Sequence, residues 1–322
     1  MKLSRRKLVL ALALTPIVAR LGCAPRRHSG PIVIGVRTSN CQAPFYVADR
    51  RQLYAQRGQE VVVRLVPSNT EIIEAMQRGD FQMGSLPITT AIAAIAHGAP
   101  LHIVAITGRG SDGLLVRRAD GPKELAGIKG GKVATIRASI LDVLLQDALQ
   151  HAGMDPRRDI EMVYMSKLGD MISALKTGQV MATSNTEPFM TDAERQGWGR
   201  ILTYYSAYWP DHPCCVVVAE DTFARQEPQA LQDILAAHRE AVDWAHEHAH
   251  ETAEILCDTL QAFDADLVAE TLVPPKMRLD YHLLDDEVER MAVLMQRQGL
   301  IERAPDRARL VDDGALRAIL QK

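Results

Sequence analysis

The 322-residue chain has no real excess of either charge: 37 Lys and Arg stand against 40 Asp and Glu, a formal net charge of −3. That balance leaves no electrostatic footprint for nucleic acid, whose phosphates demand a basic face. No apolar run approaches the roughly 20 residues that cross a bilayer as a helix. The N-terminal run from Leu8 to Val18 is shorter, and Thr15 and Pro16 break it. Also missing are a nucleophile elbow, a Walker loop, a dinucleotide fingerprint and a zinc-protease helix, so the usual motif arguments for catalysis fail. Cysteine is scarce, with five in all.

What is present begins with a leader. Lys2, Arg5, Arg6 and Lys7 precede the apolar run, the layout of a cleaved export signal. Ser4-Arg5-Arg6-Lys7-Leu8-Val9-Leu10 resembles the twin-arginine export motif, and Leu21-Gly22-Cys23-Ala24 resembles a lipoprotein processing site. Arg20 departs from the leucine usual at its position in such sites. The expectation is acylation of Cys23, a flexible tether over residues 24–30, and a periplasmic protein held to the membrane by lipid. Residues 1–30 are therefore set outside the fold.

The rest of the chain repeats itself. Val33-Ile34-Gly35-Val36-Arg37-Thr38-Ser39 is echoed 100 positions later by Val133-Ala134-Thr135-Ile136-Arg137-Ala138-Ser139. Glu71 to Gly79 is echoed 99 positions later by Asp170 to Gly178. Each copy then runs into a short strand ending at a serine, Ser85 or Ser184, with a proline beyond, Pro87 or Pro188. Two copies of a βαβ-type unit predict an α/β protein with two lobes and a ligand between them. The segment 108–113, rich in glycine, reads as the first crossing between lobes, and Cys214–Ala219 as a strand returning to the first. Lobe one is then residues 31–108 plus 213–322, and lobe two residues 109–212. Beyond residue 227 only helical patterns are expected, with no further strands.

In open α/β sheets, ligands sit beyond the carboxyl ends of strands, near helix N-termini. That rule selects Ser39, Asn40, Cys41 and Gln42; Ser85, Leu86 and Pro87; Arg137 and Ser139; and Asn185 and Glu187. Several of these are also ordinary helix caps. Arg37 and Arg137 end paired strands and suit an oxyanion, whereas Glu187 suits an amine or aminopyrimidine. Tyr204, Tyr205, Tyr208 and Trp209 offer either stacking on a flat ligand or packing at the second crossing. Cys41, Cys214, Cys215 and Cys257 leave three options open: disulfides, a soft metal, or a thiol-bearing ligand. Of His246, His248 and His250 only the first and last share a helical face, so no metal site is expected there, and no cofactor anywhere.

Ala43-Pro44-Phe45-Tyr46-Val47-Ala48, then Ala75-Met76-Gln77-Arg78-Gly79-Asp80-Phe81, resemble periplasmic substrate-binding proteins of ABC importers. So do Glu124 to Ala134, Ala174-Leu175-Lys176-Thr177-Gly178 and Glu187-Pro188-Phe189. The resemblance spans residues 31–260 and is to the group that binds aliphatic sulfonates, taurine, nitrate or thiamine precursors. It implies the type II two-lobed fold with a two-crossover hinge and a helical C-terminal region. It further implies a monomer that binds a small molecule and delivers it to a membrane permease with its ATPase. The alternatives are an enzyme on the same scaffold, of thiamine-pyrimidine or menaquinone-pathway type, and a receptor serving a membrane sensor.

Overall fold

The computed structural model describes residues 30–284 and 286–321. Arg5, Arg6 and the acylation candidate Cys23 lie outside the described residues. Among the described residues, eleven strands run in chain order as β1 (Ile32–Val36), β2 (Val61–Leu65), β3 (Met83–Pro87), β4 (Leu101–Gly110), β5 (Asp112–Arg117), β6 (Lys132–Thr135), β7 (Glu161–Tyr164), β8 (Ala182–Thr186), β9 (Gly199–Tyr204), β10 (Pro213–Glu220) and β11 (Met277–Leu279). They form two sheets, ordered β11-β4-β10-β3-β1-β2 and β7-β6-β8-β5-β9. β1 is apolar and buried along its whole length, as a parallel strand covered on both faces must be.

The sequence repeat becomes a repeat of pairing. Ile32 lies opposite Val61 in the first sheet, and Lys132 lies opposite Glu161 in the second. Each parallel trio is continued by one antiparallel strand, β10 beside β3 and β5 beside β8. The echoed segments form the helices Asn69–Arg78 and Leu168–Lys176. In the first copy Ser68 caps the helix by accepting from Glu71 N at 3.1 Å. Two glycines let that helix lie close on its sheet. A Cβ at Gly35 would sit 2.7 Å from the Phe81 ring, and one at Gly84 would sit 2.6 Å from Ile72.

The structure sharpens one expectation and overturns another. The glycine-rich stretch does carry the first crossing, in extended form: β4 runs on to Gly110, β5 starts at Asp112, and only Ser111 separates them, at φ 77. The helix from Ala43 stops at Arg50, because Gln52 turns left-handed at φ 56 before a short 3-10 turn. The C-terminal region is mostly helical but adds β11, antiparallel to the end of β4. Its three residues are too few to show a period.

The chain passes between sheets twice, at Ser111 and over residues 205–212, and these crossings are tied to each other. Gly110 N donates to His212 O at 3.0 Å, and Ser111 N donates to Lys276 O at 2.8 Å. Arg109, with no exposed side-chain surface, lies beside them. Its Nη1 donates to Glu287 Oε2 at 2.5 Å and to Asp211 O at 3.0 Å. Its Nη2 donates to His282 O at 2.6 Å and to Glu287 Oε1 at 3.0 Å, while Nε donates to Asp280. Burial works to raise the Asp280 carboxyl, but hydrogen bonds from His282 and Arg109, with the Arg109 charge, outweigh it and hold it down at about 2.

Arg109→Met would strand two buried carboxylates and is expected to cost about 3–5 kcal/mol in urea unfolding. Arg109→Lys, which keeps charge but not the fork, should recover only part of that. Because the Asp280 pKa is depressed in the fold, its contribution is present above pH ~4 and is lost as pH falls toward 2. Acid titration of Asp280→Asn should show a shallower loss of stability across that window.

Candidate functional site

A cavity of about 750 Å³ lies between the two sheets. It opens beyond the carboxyl ends of β1, β3, β6, β7 and β8, where the doubly wound rule places ligands. The first-sheet side supplies Arg37, Thr38, Ser39, Gln42, Ser85, Pro87, Cys214 and Cys215. The second-sheet side supplies Asp112, Ile136 to Leu141, Ser166 to Gly169, Thr186 and Phe189. A loop following the helix Ala249–Cys257, residues 259–263, closes one edge.

Polar groups in this wall fall into two kinds. Some are spent on backbone. Ser39 Oγ accepts from Cys41 N at 3.3 Å. Ser139 Oγ accepts from Asp142 N at 3.4 Å and donates to Ile136 O at 2.7 Å. Others are free: Ser85 Oγ and Gln42 Oε1 are buried without a hydrogen-bond partner. Buried polar atoms are nearly always paired, so these two are poised for a ligand.

Charge in the wall is mainly positive. Arg37, Arg137 and Lys167 line the cavity, with Asp112 as the single carboxylate among its lining residues. Arg137 lies over the Tyr164 ring, its guanidinium carbon 3.8 Å from the ring centre. Asp112 lies 3.3 Å from His212 Nε2. Burial, then the charge of Cys214, push its carboxyl up to about 7 against the pull of His212. Near neutral pH this carboxyl is therefore partly protonated, able to donate as well as accept. The remaining surface is apolar, from Ile136, Ile140, Leu141, Leu168, Phe189, Leu260 and Phe263.

Of the residues expected to bind, Ser39, Gln42, Ser85, Pro87, Arg137 and Ser139 do line the cavity. Asn40, Cys41, Leu86, Asn185 and Glu187 stand behind its wall. Asn40 Nδ2 donates to Thr271 Oγ1 at 2.8 Å, and Leu86 is core. Asn185 Oδ1 accepts from Thr186 N at 2.9 Å. Glu187 turns back onto its own helix, Phe189–Arg195, accepting from Thr191 N at 3.1 Å, Thr191 Oγ1 at 3.0 Å and the Tyr204 hydroxyl. With both oxygens committed, it is a helix cap and not a ligand for an amine. Ser184 likewise donates to Leu141 O at 2.9 Å and accepts from Tyr205 at 2.6 Å.

The tyrosines and Trp209 pack around the second crossing, with Arg290 over the Trp209 ring at 3.9 Å. His246 Nε2 meets Leu279 O at 2.8 Å, and His250 meets Asp266 at 3.2 Å, so the two histidines serve separate contacts. Sequence reading missed Asp112, Lys167 and residues 259–263. Asp112 lay inside the stretch read only as a crossing between lobes, and the closing segment carries no motif. Cys41, Cys214, Cys215 and Cys257 are free thiols; Cys41 Sγ is 3.6 Å from Cys214 Sγ. Hydrogen bonds from Cys214 and then Cys215 hold the Cys41 thiol down at about 5, against its burial.

Comparison with known proteins agrees with this geometry. The model of the NMT1-like family matches residues 28–261. A protein of Escherichia coli (strain K12) named "Putative aliphatic sulfonates-binding protein" is 25% identical over 256 residues, covering 78% of this chain and 79% of that protein. The crystal structure of the periplasmic aliphatic sulphonate binding protein SsuA from Escherichia coli superposes with a TM-score of 0.77 at 24% identity, over 88% of this chain and 92% of that one. The periplasmic nitrate-binding protein NrtA from Synechocystis PCC 6803 gives 0.78 at 17% identity, over 90% and 88%. The two-sheet α/β architecture is thus the periplasmic-binding-protein fold. A match over more than two thirds of the sequence settles the kinship: the chain belongs to the NMT1-like family.

Proposed function

We propose that the chain is an extracytoplasmic solute receptor. It would bind a small anion with an apolar body, of the sulfonate or nitrate-like class, and pass it to an ABC permease and its ATPase. The observation that carries this reading is the pair of buried, unpartnered groups, Ser85 Oγ and Gln42 Oε1, in the wall of a cavity that also presents Arg37 and Arg137. Relatives whose names record sulfonate and nitrate binding support the same class. With Glu187 turned away from the cavity, the case for a purely cationic cargo weakens, and the arginines dominate.

The site is arranged for binding without turnover. A hydroxyl becomes a nucleophile only beside a base that takes its proton. Ser85 Oγ has no hydrogen-bond partner, while Ser39 and Ser139 are occupied as caps. Periplasmic placement and a lipid anchor on Cys23 belong to the same proposal and rest on the leader.

Ser85→Leu, which fills the cavity at a buried point, should abolish ligand binding while the melting temperature of the free protein holds. Ser184→Ala should do the reverse, losing about 1–3 kcal/mol of stability with affinity intact, because it unpairs Leu141 O and the Tyr205 hydroxyl behind the wall. Loss of binding in Ser184→Ala with none in Ser85→Leu would move the site elsewhere.

A thermal-shift screen of alkanesulfonates, taurine, nitrate, bicarbonate and hydroxymethyl-aminopyrimidine tests the cargo. A ligand at 100 times its Kd should stabilise the fold by about 2.7 kcal/mol. The expected hit is an anion whose affinity falls about 10- to 100-fold in Arg137→Ala. A neutral heterocycle that binds equally well to Arg137→Ala would overturn the anion reading.

A further inference from the structure

Cys41 and the adjacent pair Cys214-Cys215 come from distant parts of the chain, yet the three sulfurs all lie within 4.8 Å of one another. Cys41 Sγ and Cys214 Sγ are 3.6 Å apart, and Cys214 Sγ and Cys215 Sγ are 3.8 Å apart. A metal ion with bonds of about 2.3 Å to thiolate sulfur holds its ligands roughly 3.8–4.0 Å apart, whether tetrahedral or trigonal. Two of the three sulfur–sulfur edges are already close to that spacing, and the third lies within 4.8 Å. Three thiols also form an odd set, so any one disulfide leaves a buried sulfur over.

The surroundings are built for this cluster. Gly108 makes room for it, since a Cβ there would lie 2.9 Å from Cys41 Sγ. Thr107 Oγ1 donates to Cys41 O at 2.7 Å and pins that backbone. Cys41 stands just before the helix Ala43–Arg50, whose N-terminal end favours a thiolate. Cys214 and Cys215 line the inter-sheet cavity, which supplies the entry path a buried metal site requires. No oxygen or nitrogen ligand belongs to the set, which excludes hard cations such as magnesium and calcium.

We propose that Cys41, Cys214 and Cys215 form a trithiolate site for a soft, thiophilic metal ion at the wall of the solute cavity, with Cu(I) as its reference occupant. The site goes beyond the receptor reading and is independent of it: a copper titration uses no solute, so either claim can fail alone.

The test is an anaerobic titration of the purified, fully reduced protein with Cu(I) against a chromophoric Cu(I) chelator. One Cu(I) per chain is expected, with ultraviolet sulfur-to-metal absorption. Cys214→Ser and Cys215→Ser should each weaken binding by more than roughly tenfold, while Cys257→Ser, whose thiol contacts Phe263 O instead, should leave it unchanged. Melting curves of the copper-free variants separate lost ligation from lost folding. Cys41 is the most buried of the three, so the two wall cysteines carry the test if Cys41→Ser does not fold. No retained copper, or full retention in a Cys214→Ser/Cys215→Ser double variant, would overturn the proposal. So would protein isolated from its oxidising compartment with a disulfide among these three, mapped by mass spectrometry of peptides.

Discussion

Arg109 makes five hydrogen bonds, one for every N–H its guanidinium carries: two to Glu287, one each to Asp280 and the His282 carbonyl, and one to the Asp211 carbonyl at the second crossing. A buried cation is tolerable only when fully paired, so this one dictates where Asp280, Glu287 and the carbonyls of Asp211 and His282 must lie. Because Arg109 sits one residue before Gly110, that demand is imposed at the point where the chain leaves the first sheet. The helical C-terminal region is thereby locked to the crossings. The angle between the two sheets, and the cavity between them, inherit that fixed base.

Sequence reading succeeded where a physical signal recurs. The apolar strand with its glycine, the capped helix and the serine that ends the next strand each occur twice, and the pairings Ile32–Val61 and Lys132–Glu161 reproduce the repeat in space. It failed where a feature depends on partners distant in sequence. Nothing near Glu187 announces that Thr191 and Tyr204 will consume its carboxylate. Nothing near Met277 says that three residues will find the free edge of β4. The cluster of Cys41 with the 214–215 pair joins positions 173 residues apart and exists only once the first sheet has brought β10 beside β3.

The cavity wall shows how one helix-start grammar serves two purposes. Ser39 and Ser139 occupy equivalent places in the repeat and both spend their hydroxyls on backbone, holding the turns in shape. The Ser85 hydroxyl oxygen and the Gln42 amide oxygen are instead buried without any hydrogen-bond partner. The proposed recognition rests on those left unsatisfied. The cost of leaving them unpaired within the protein is borne by the rigid elements around them.

The second sheet hangs from the first by two connections that emerge side by side, since Arg109 at the end of β4 pairs with Pro213 at the start of β10. Topologically, everything from Ser111 to His212 is an insertion into what would otherwise be the turn of a β-hairpin, its two ends about one strand spacing, roughly 5 Å, apart. An insertion with adjoining ends can be exchanged for another without rethreading the host. The half of the cavity wall carrying Arg137 and Lys167 is thus a cassette, and replacing that half of the wall has a short genetic path.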